Sequence, residues 1–485
     1  SQLRLDAGFT KNIPLNHEYM QNYMKHVNDF GGANSILVSV CDTDGDIFNQ
    51  NFFDTLKDVH DQLFFINGVD RSLVKSLFSS STRFTEIVEG GFAGGPVIPA
   101  DFNSSEQRGL DKVSSNIEKA GIVGSLVSDD YQCAMVTAKL LDLDPESGEK
   151  LDTLALADQL ETQLRGQFES DDISIHIIGF AKMIGDVANG AKDVLVFFAI
   201  AIAITAVLVY FFCKSLMLTV LPLLCSIIAV IWQMGLLTLL GFGLDPMSIL
   251  VPFLVFAIGI SHGVQMINSV GKEVTKGSTS FNAAKLAFTT LLIPGGVALL
   301  SDTIGFMTLL VIDIGIIREL AITASMGVAV IILTNLLLLP VLMSFVKFSD
   351  KYKKKFAGKE DRADRFWDWI AACSSPKVAV VILVVTAVLF GFGWMQAQKM
   401  KIGDLHAGAP ALHESSRYNQ DTFLITDKYE ISTDYLSILV EATKDACTSY
   451  DVMNAIDELQ WRMSNIEGVQ SAVSLASVAK IINAG

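Results

Sequence analysis

Two ionisable side chains stand inside otherwise uncharged apolar runs of this 485-residue chain, His262 and Asp302. An ionisable group within a bilayer is costly, so it faces a bundle interior or a wet path. Imidazole exchanges a proton near neutral pH, its ordinary pKa being about 6.5. Together the two have the chemistry of a proton relay. Ser261 adjoins His262, and Gln265 and Ser269 follow on the same helical stripe. Ser301 and Thr303 flank Asp302. These neighbours are the candidate supporting polar face. Gly259 and Gly263 form a GxxxG, the spacing that lets helices approach closely, and Gly305 is a third packing candidate. At about 1.5 Å per residue, His262 lies roughly 22 Å and Asp302 roughly 15 Å from the outer ends of their spans. A plainer reading stays open for both: His262 as a packing residue and Asp302 as a hydrogen-bonder between helices. Thr334 and Asn335 pose the same choice between a polar path and interhelical bonding.

Other chemistries find little support. There is no nucleophile elbow, phosphate loop or Walker motif, which disfavours an enzyme, a cofactor and ATP-driven transport. His17-Glu18 and His413-Glu414 lack the second histidine of a zinc HExxH site. Asp42, Asp44 and Asp46 alternate like calcium ligands. Ile47 stands where such a loop needs its turn glycine, however, and Phe53 where it needs a bidentate glutamate. An acidic turn is the better reading, and no metal is expected. The net charge of −16 leaves no basic face for nucleic acid.

The elements that must position these residues are membrane spans. Hydrophobic residues make up 51% of the chain and collect into runs of bilayer-crossing length, about 20 residues. Six spans are expected at roughly 194–212, 216–240, 247–269, 286–312, 320–346 and 378–396. Lys214, Lys272, Lys276, Lys285 and the lysine-rich run 347–377 fall on one side, while the opposite short loops carry only Arg318. The basic side is therefore cytoplasmic. The expected organisation is a soluble domain over 1–193, five helices over 194–346, a basic linker over 347–377, another helix over 378–396, and the start of a second soluble domain over 397–485.

The first soluble domain reads as strand 34–41, helix 51–65, a strand after Gly68-Val69, strand 132–140, helix 151–168 and strand 173–179. That order is β-α-β-β-α-β, the split βαβ or ferredoxin-like motif of α+β domains. Residues 78–124 read as an insertion holding a flexible Gly90–Gly95 stretch and a helix near 104–119. Cys41 ends the first strand and Cys133 begins the third. The two strands are antiparallel neighbours in this motif. Either a disulfide or two free thiols fits, and a non-cytoplasmic location permits the bond.

The chain also repeats itself. Pro14-Leu15-Asn16-His17-Glu18 is echoed by Pro410-Ala411-Leu412-His413-Glu414, and Ile66-Asn67-Gly68-Val69 with Ser76-Leu77 by Ile466-Glu467-Gly468-Val469 with Ser474-Leu475. Strand Ile36–Val40 has its counterpart in Leu436–Val440. The second copy follows a span, so the first should too. The expectation is half of a duplicated fold of about twelve spans in two parallel repeats.

Here the sequence resembles a known group. Ser301-Asp302-Thr303-Ile304-Gly305-Phe306, then Arg318-Glu319 and an apolar run ending Leu339-Pro340, look like the fifth and sixth spans of the resistance–nodulation–division (RND) superfamily. The chain is most similar to its bacterial hydrophobe/amphiphile exporter branch, near the mycobacterial-membrane-protein-large (MMPL) group. The resemblance implies a secondary active exporter, driven by the proton-motive force, in the bacterial inner membrane. Its soluble domains would be periplasmic porter domains. Its cargo would be hydrophobic or amphipathic: lipids, or sterol- or hydrocarbon-like molecules. It further implies membrane lipids, periplasmic or outer-membrane accessory proteins and copies of itself as partners. Relatives carry an acidic proton carrier in the fourth span, but the corresponding Gly259-Ile260-Ser261-His262-Gly263 has no carboxylate. That departure keeps two alternatives open: a non-transporting lipid- or sterol-sensing, Patched-like regulator, or an accessory factor like SecD/SecF.

Overall fold

The computed structural model describes residues 14–30, 34–89, 91–141, 143–149, 151–243, 245, 247–349, 352–353, 368, 370–401, 403, 408–431 and 436–483. The chain forms two compact units, Ser1–Lys25 with Asn189–Gly403, and His26–Ala188 with Asp404–Gly485. Most of the expected basic linker lies outside the described residues.

Helix α1 spans Glu18–Phe30 and strand β1 Ser35–Asp42. The carboxylates of the acidic turn then cap main-chain amides. Asp42 Oδ1 accepts from the amides of Asp44 and Gly45, and Asp46 Oδ1 from that of Phe48. Helix α2, Gln50–Phe65, starts where the Asn49 side chain accepts from the Phe52 amide, and it buries Phe52, Phe53, Leu56, Val59 and Leu63. Strands β2 (Arg83–Val88) and β3 (Gly91–Pro96) form a hairpin, followed by α3 (Gln107–Ala120) and β4 (Cys133–Lys139). Helix α4 (Thr153–Gln159) runs through a π-helical stretch, Leu160–Arg165, into α5 (Gly166–Phe168), and β5 covers Ile173–Gly179.

The main sheet has the order β4-β1-β5, antiparallel on both sides of β1. The neighbours and directions are those of a split βαβ sheet. The expected strand after Gly68-Val69 is a correction: that segment forms isolated bridges, Val69 to Leu140 and Lys75 to Thr137, rather than a strand. Between them Asp70 accepts from the Ser72 amide and hydroxyl and caps a short 3-10 turn, which lifts the chain off the sheet. The Gly90–Gly95 stretch is a second correction, because Gly91 onward is strand β3. Its glycines make room for the opposite strand, since a Cβ on Gly94 would lie 2.6 Å from the Phe84 carbonyl oxygen. Gly90 itself lies outside the described residues. Cys41 and Cys133 face each other in the β1–β4 register and are joined by a disulfide.

Among the described residues, six helices are long and apolar enough to cross a membrane. They are α6 (Phe180–Cys213), α7 (Leu216–Leu239), α8 (Val251–Thr275), α9 (Ser280–Met307), α10 (Gly315–Ile331) with its continuation, and α12 (Pro376–Ala397). The continuation of α10 is a π-helical stretch, Ile332–Leu338, leading into α11, Leu339–Ser344. Helix α6 begins directly after β5, well before the expected boundary at residue 193. Glycines set the spacing around α8. A Cβ on Gly259 would lie 2.6 Å from Ser226 Oγ, and one on Gly263 would lie 2.7 Å from Pro222 Cβ, both on α7. Gly305 differs from both: among the described residues nothing lies within 4 Å of its Cβ position.

In the unit that holds the sheet, α13 (Arg417–Lys428) packs against β5, and α14 (Tyr450–Ser464) and α15 (Leu475–Asn483) follow. Asp421 on α13 is fully buried. It accepts from Arg165 Nη2 at 2.6 Å, from the Ile177 amide at 3.1 Å and from Arg417 Nε at 3.1 Å, with His176 Nδ1 at 2.8 Å. Burial alone would raise its carboxyl; the His176 hydrogen bond, the Arg165 charge and the Ile177 amide outweigh burial and hold it below the usual carboxylate range. The expected strand Leu436–Val440 is not formed. A strand needs a paired neighbour, and among the described residues these have none. Yet the repeated motifs do share a local form. Gly68 and Gly468 both adopt positive φ, +85° and +93°, and Val69 and Val469 donate their amides back to the carbonyls of Ile66 and Ile466.

Three expectations follow. Because the folded Asp421 carboxyl lies below its unfolded value of about 3.9, its stabilisation is complete above that pH and is lost as pH falls through the folded value. Asp421→Asn should cost about 3 kcal/mol by leaving buried Arg165 with Glu161, 3.3 Å from its Nε, as its remaining counter-charge. Hydrogen exchange over 417–428 should report it as faster opening. Gly263→Ala should destabilise the bundle by about 1–3 kcal/mol, whereas Gly305→Ala should not, as thermal unfolding in detergent would show. Non-reducing peptide mapping should recover Cys41 and Cys133 in one cross-linked species.

Candidate functional site

The middle of α8 carries the histidine. His262 is half-buried, and its Nδ1 lies 3.0 Å from the Ile258 carbonyl oxygen one turn back. A carbonyl only accepts, so Nδ1 carries the proton in that bond and Nε2 of the neutral ring keeps a free lone pair. Nε2 has no hydrogen-bond partner among the described residues. The ring packs toward α9, with Cδ2 3.6 Å from the Cβ position of Gly295.

Asp302 lies seven residues beyond Gly295 on α9, on the same face but about 10 Å further along the axis. It is exposed and makes no hydrogen bond or ion pair among the described residues. The structure therefore does not bring His262 and Asp302 into contact. Nor do the supporting residues gather round the ring. Ser261, Gln265 and Ser301 are exposed. Thr303 donates its hydroxyl to the Leu299 carbonyl, and its own carbonyl accepts from Ser325 Oγ of α10 at 3.1 Å.

A different set of polar groups is buried in the bundle, and sequence reading did not assemble it. Ser226 and Gln233 on α7 and Thr334 and Asn335 in the π-helical stretch are all fully buried. Asn335 Nδ2 donates to Thr334 Oγ1 at 3.1 Å, and Gln233 Nε2 donates to the Thr323 carbonyl at 3.4 Å. Ser226 Oγ, Asn335 Oδ1 and Gln233 Oε1 have no hydrogen-bond partner among the described residues. Ser226 and Asn335 meet over the bare backbone of α8. From the Cβ position of Gly259, Ser226 Oγ is 2.6 Å away and Asn335 Nδ2 3.0 Å; from that of Gly263, Asn335 Oδ1 is 3.4 Å away. These residues stand on three different helices, so no spacing links them in the sequence. The signals were the glycine pair and, read separately, the polar Thr334-Asn335 pair.

The turns at the helix ends are held by charge. Arg318 Nη2 pairs with Asp313 at 2.9 Å, its Nε donates to the Ile312 carbonyl, and Asn16 Nδ2 donates to Asp313. Buried Asp245 caps the start of the third span, its Oδ1 accepting from the amides of Met247 and Ser248. Among the described residues no cluster of three or more His, Cys, Asp or Glu side chains could hold a metal ion.

Comparison with known proteins agrees with this membrane architecture. A relative in Methanocaldococcus jannaschii, named "Putative membrane protein MJ1562", is 20% identical over 357 residues, covering 71% of this chain and 85% of the relative. The sequence model of the MMPL family matches residues 93–381, more than half of the chain and five of the six apolar helices. With that match laid over its helix bundle, the chain belongs to the MMPL family of polytopic membrane transporters.

Proposed function

We propose that this protein is a proton-driven exporter of hydrophobic or amphipathic compounds. It would sit in a bacterial inner membrane with its soluble unit in the periplasm. The basic loops would face the cytoplasm, as the positive-inside rule requires. The observation that carries the reading is His262. Its Nδ1 proton is committed to the Ile258 carbonyl, which leaves Nε2 open to a proton halfway along a membrane helix. An imidazole nitrogen left open at that depth would take up a proton from one side and release it to the other as the bundle rearranges. Asp302, two turns away and exposed, would act as a separate outer station reached through water rather than as a partner in direct contact. Cargo would be lipid-, sterol- or hydrocarbon-like, handled with accessory proteins of the periplasm or outer membrane.

One observation favours a second reading. The α8 motif has no carboxylate, and the nearest acidic candidate is out of contact, as suits a lipid- or sterol-sensing protein that moves nothing. Proton-linked flux separates the two. In vesicles containing full-length protein, His262→Ala and Asp302→Asn should each lower pH-gradient-driven efflux of a hydrophobic dye by at least about tenfold. Unchanged flux in both variants would overturn the proton relay. Absence of any gradient-driven flux in the unaltered protein would favour the sensor.

A further inference from the structure

We infer that His60 is a proton-sensitive latch on the turn Ser76–Thr82, at the base of the β2–β3 hairpin, and that the matching latch in the second copy, built on Gln460, ignores pH. The inference is independent of proton transfer at His262. It starts from the repeat. The offset of 400 that carries Gly68-Val69 to Gly468-Val469 also carries His60 on α2 to Gln460 on α14. A serine turn of one form follows each helix. In the first copy the Ser76 amide donates to Ser79 Oγ at 2.9 Å, and the Phe78 amide to Ser76 Oγ at 3.0 Å. In the second the Ser474 amide donates to Ser477 Oγ at 3.4 Å, and the Ala476 amide to Ser474 Oγ at 3.1 Å. The first serine of each turn meets the side chain sent down from the helix. Ser76 Oγ lies 3.0 Å from His60 Nδ1, and Ser474 Oγ 2.5 Å from Gln460 Oε1.

The second copy shows which partner donates. Gln460 Nε2 donates to the Ala472 carbonyl, so Oε1 is the atom turned to the serines, and it accepts from both Ser474 and Ser477. The first copy asks the same of His60. Ser76 is fully buried, and among the described residues its hydroxyl has no acceptor but His60 Nδ1. A neutral ring with its proton on Nε2 fills that role. A proton added at Nδ1 removes the lone pair and strands a buried hydroxyl. An amide has no such second state. The turn in question anchors the hairpin: Thr82 Oγ1 donates to the Ser76 carbonyl at 2.6 Å, and the Thr82 carbonyl accepts from the Val97 amide just past β3. Burial holds the His60 ring below its ordinary pKa of 6.5, and the opposing charge of Asp61 beside it on α2 is outweighed. The turn itself carries exposed Lys75. Of the elements packed against α2, β4 carries Lys139, Asp42 of β1 caps its own turn, and Glu161 and Arg165 of the stretch Leu160–Arg165 are paired. The latch is therefore at full strength above about pH 6.5 and weakens as pH falls from there toward the folded value.

Hydrogen exchange of the full-length protein in detergent tests this, read as protection factors over 76–82 and 474–477. Protection over 76–82 should fall about tenfold between about pH 7.5 and pH 5.5. Protection over 474–477 should hold steady, an internal control in the same chain. His60→Gln installs the side chain that the second copy uses, so it should keep the protection at the higher pH and abolish the fall. Should that variant fail to fold, Gln460→His decides, since it should make the 474–477 turn lose protection as pH drops. No fall over 76–82 in the unaltered protein, a fall that persists in His60→Gln, or a 474–477 turn that stays insensitive in Gln460→His would overturn the latch.

Discussion

A bilayer offers no water to an unpaired main-chain group, and this requirement orders the membrane unit. It makes every span a helix, because only a helix satisfies its own amides and carbonyls. It also makes any break in helix register expensive, so a break persists only where something else supplies the missing partners. The continuation of α10 contains such a break. Its π-helical stretch ends against Pro340, and within it the fully buried Asn335 keeps a side-chain oxygen, Oδ1, without a hydrogen-bond partner among the described residues. The glycines of α8 then become intelligible. Replacing either hydrogen with a methyl would drive into Ser226 Oγ or Pro222. The close approach of α7 to α8 and the polar cluster over the bare backbone are one arrangement.

The unit that holds the sheet meets burial differently: its most deeply buried carboxylate is satisfied by charge. Asp421 is sealed from water yet remains ionised, because Arg165, Arg417, His176 and the Ile177 amide surround it. That pairing ties α13, from the far end of the sequence, to β5. Tyr429 extends the tie by its hydroxyl contact with Ser39 at 2.9 Å. A neutral cluster in the membrane and an ionic one in the sheet domain reflect what each setting offers. Desolvating a lone charge in hydrocarbon is far costlier than in a domain with a wet surface close by.

Much of the fold was legible because it rests on periodicity and composition. The six spans declare themselves by length and lack of charge. The β1, β4 and β5 strands declare themselves by apolar runs, and Gly259 and Gly263 by their spacing. The failures share a cause. The strand after Gly68 is decided by one competing hydrogen-bond choice, Asp70 capping its own turn. The Gly91–Pro96 strand is decided by a partner, Phe84, whose carbonyl leaves no room for a side chain. Neither choice is written in local hydrophobicity. The polar cluster is still less legible, since Ser226 and Asn335 are single polar letters in apolar runs more than a hundred residues apart. His262 and Asp302 stood out because they are ionisable, and only the helix register shows that His262 faces Gly295.

The separation between His262 and Asp302 bears on how coupling can work. A carboxylate touching the imidazole would stabilise the protonated ring and hold the proton in place. With Asp302 about 10 Å away along α9, no such trap exists. The ring's other contact is the Ile258 carbonyl of its own helix, which moves with it. The ring edge that meets Gly295 of α9 would therefore change its surroundings if α8 and α9 repacked, while the Nδ1 contact would not.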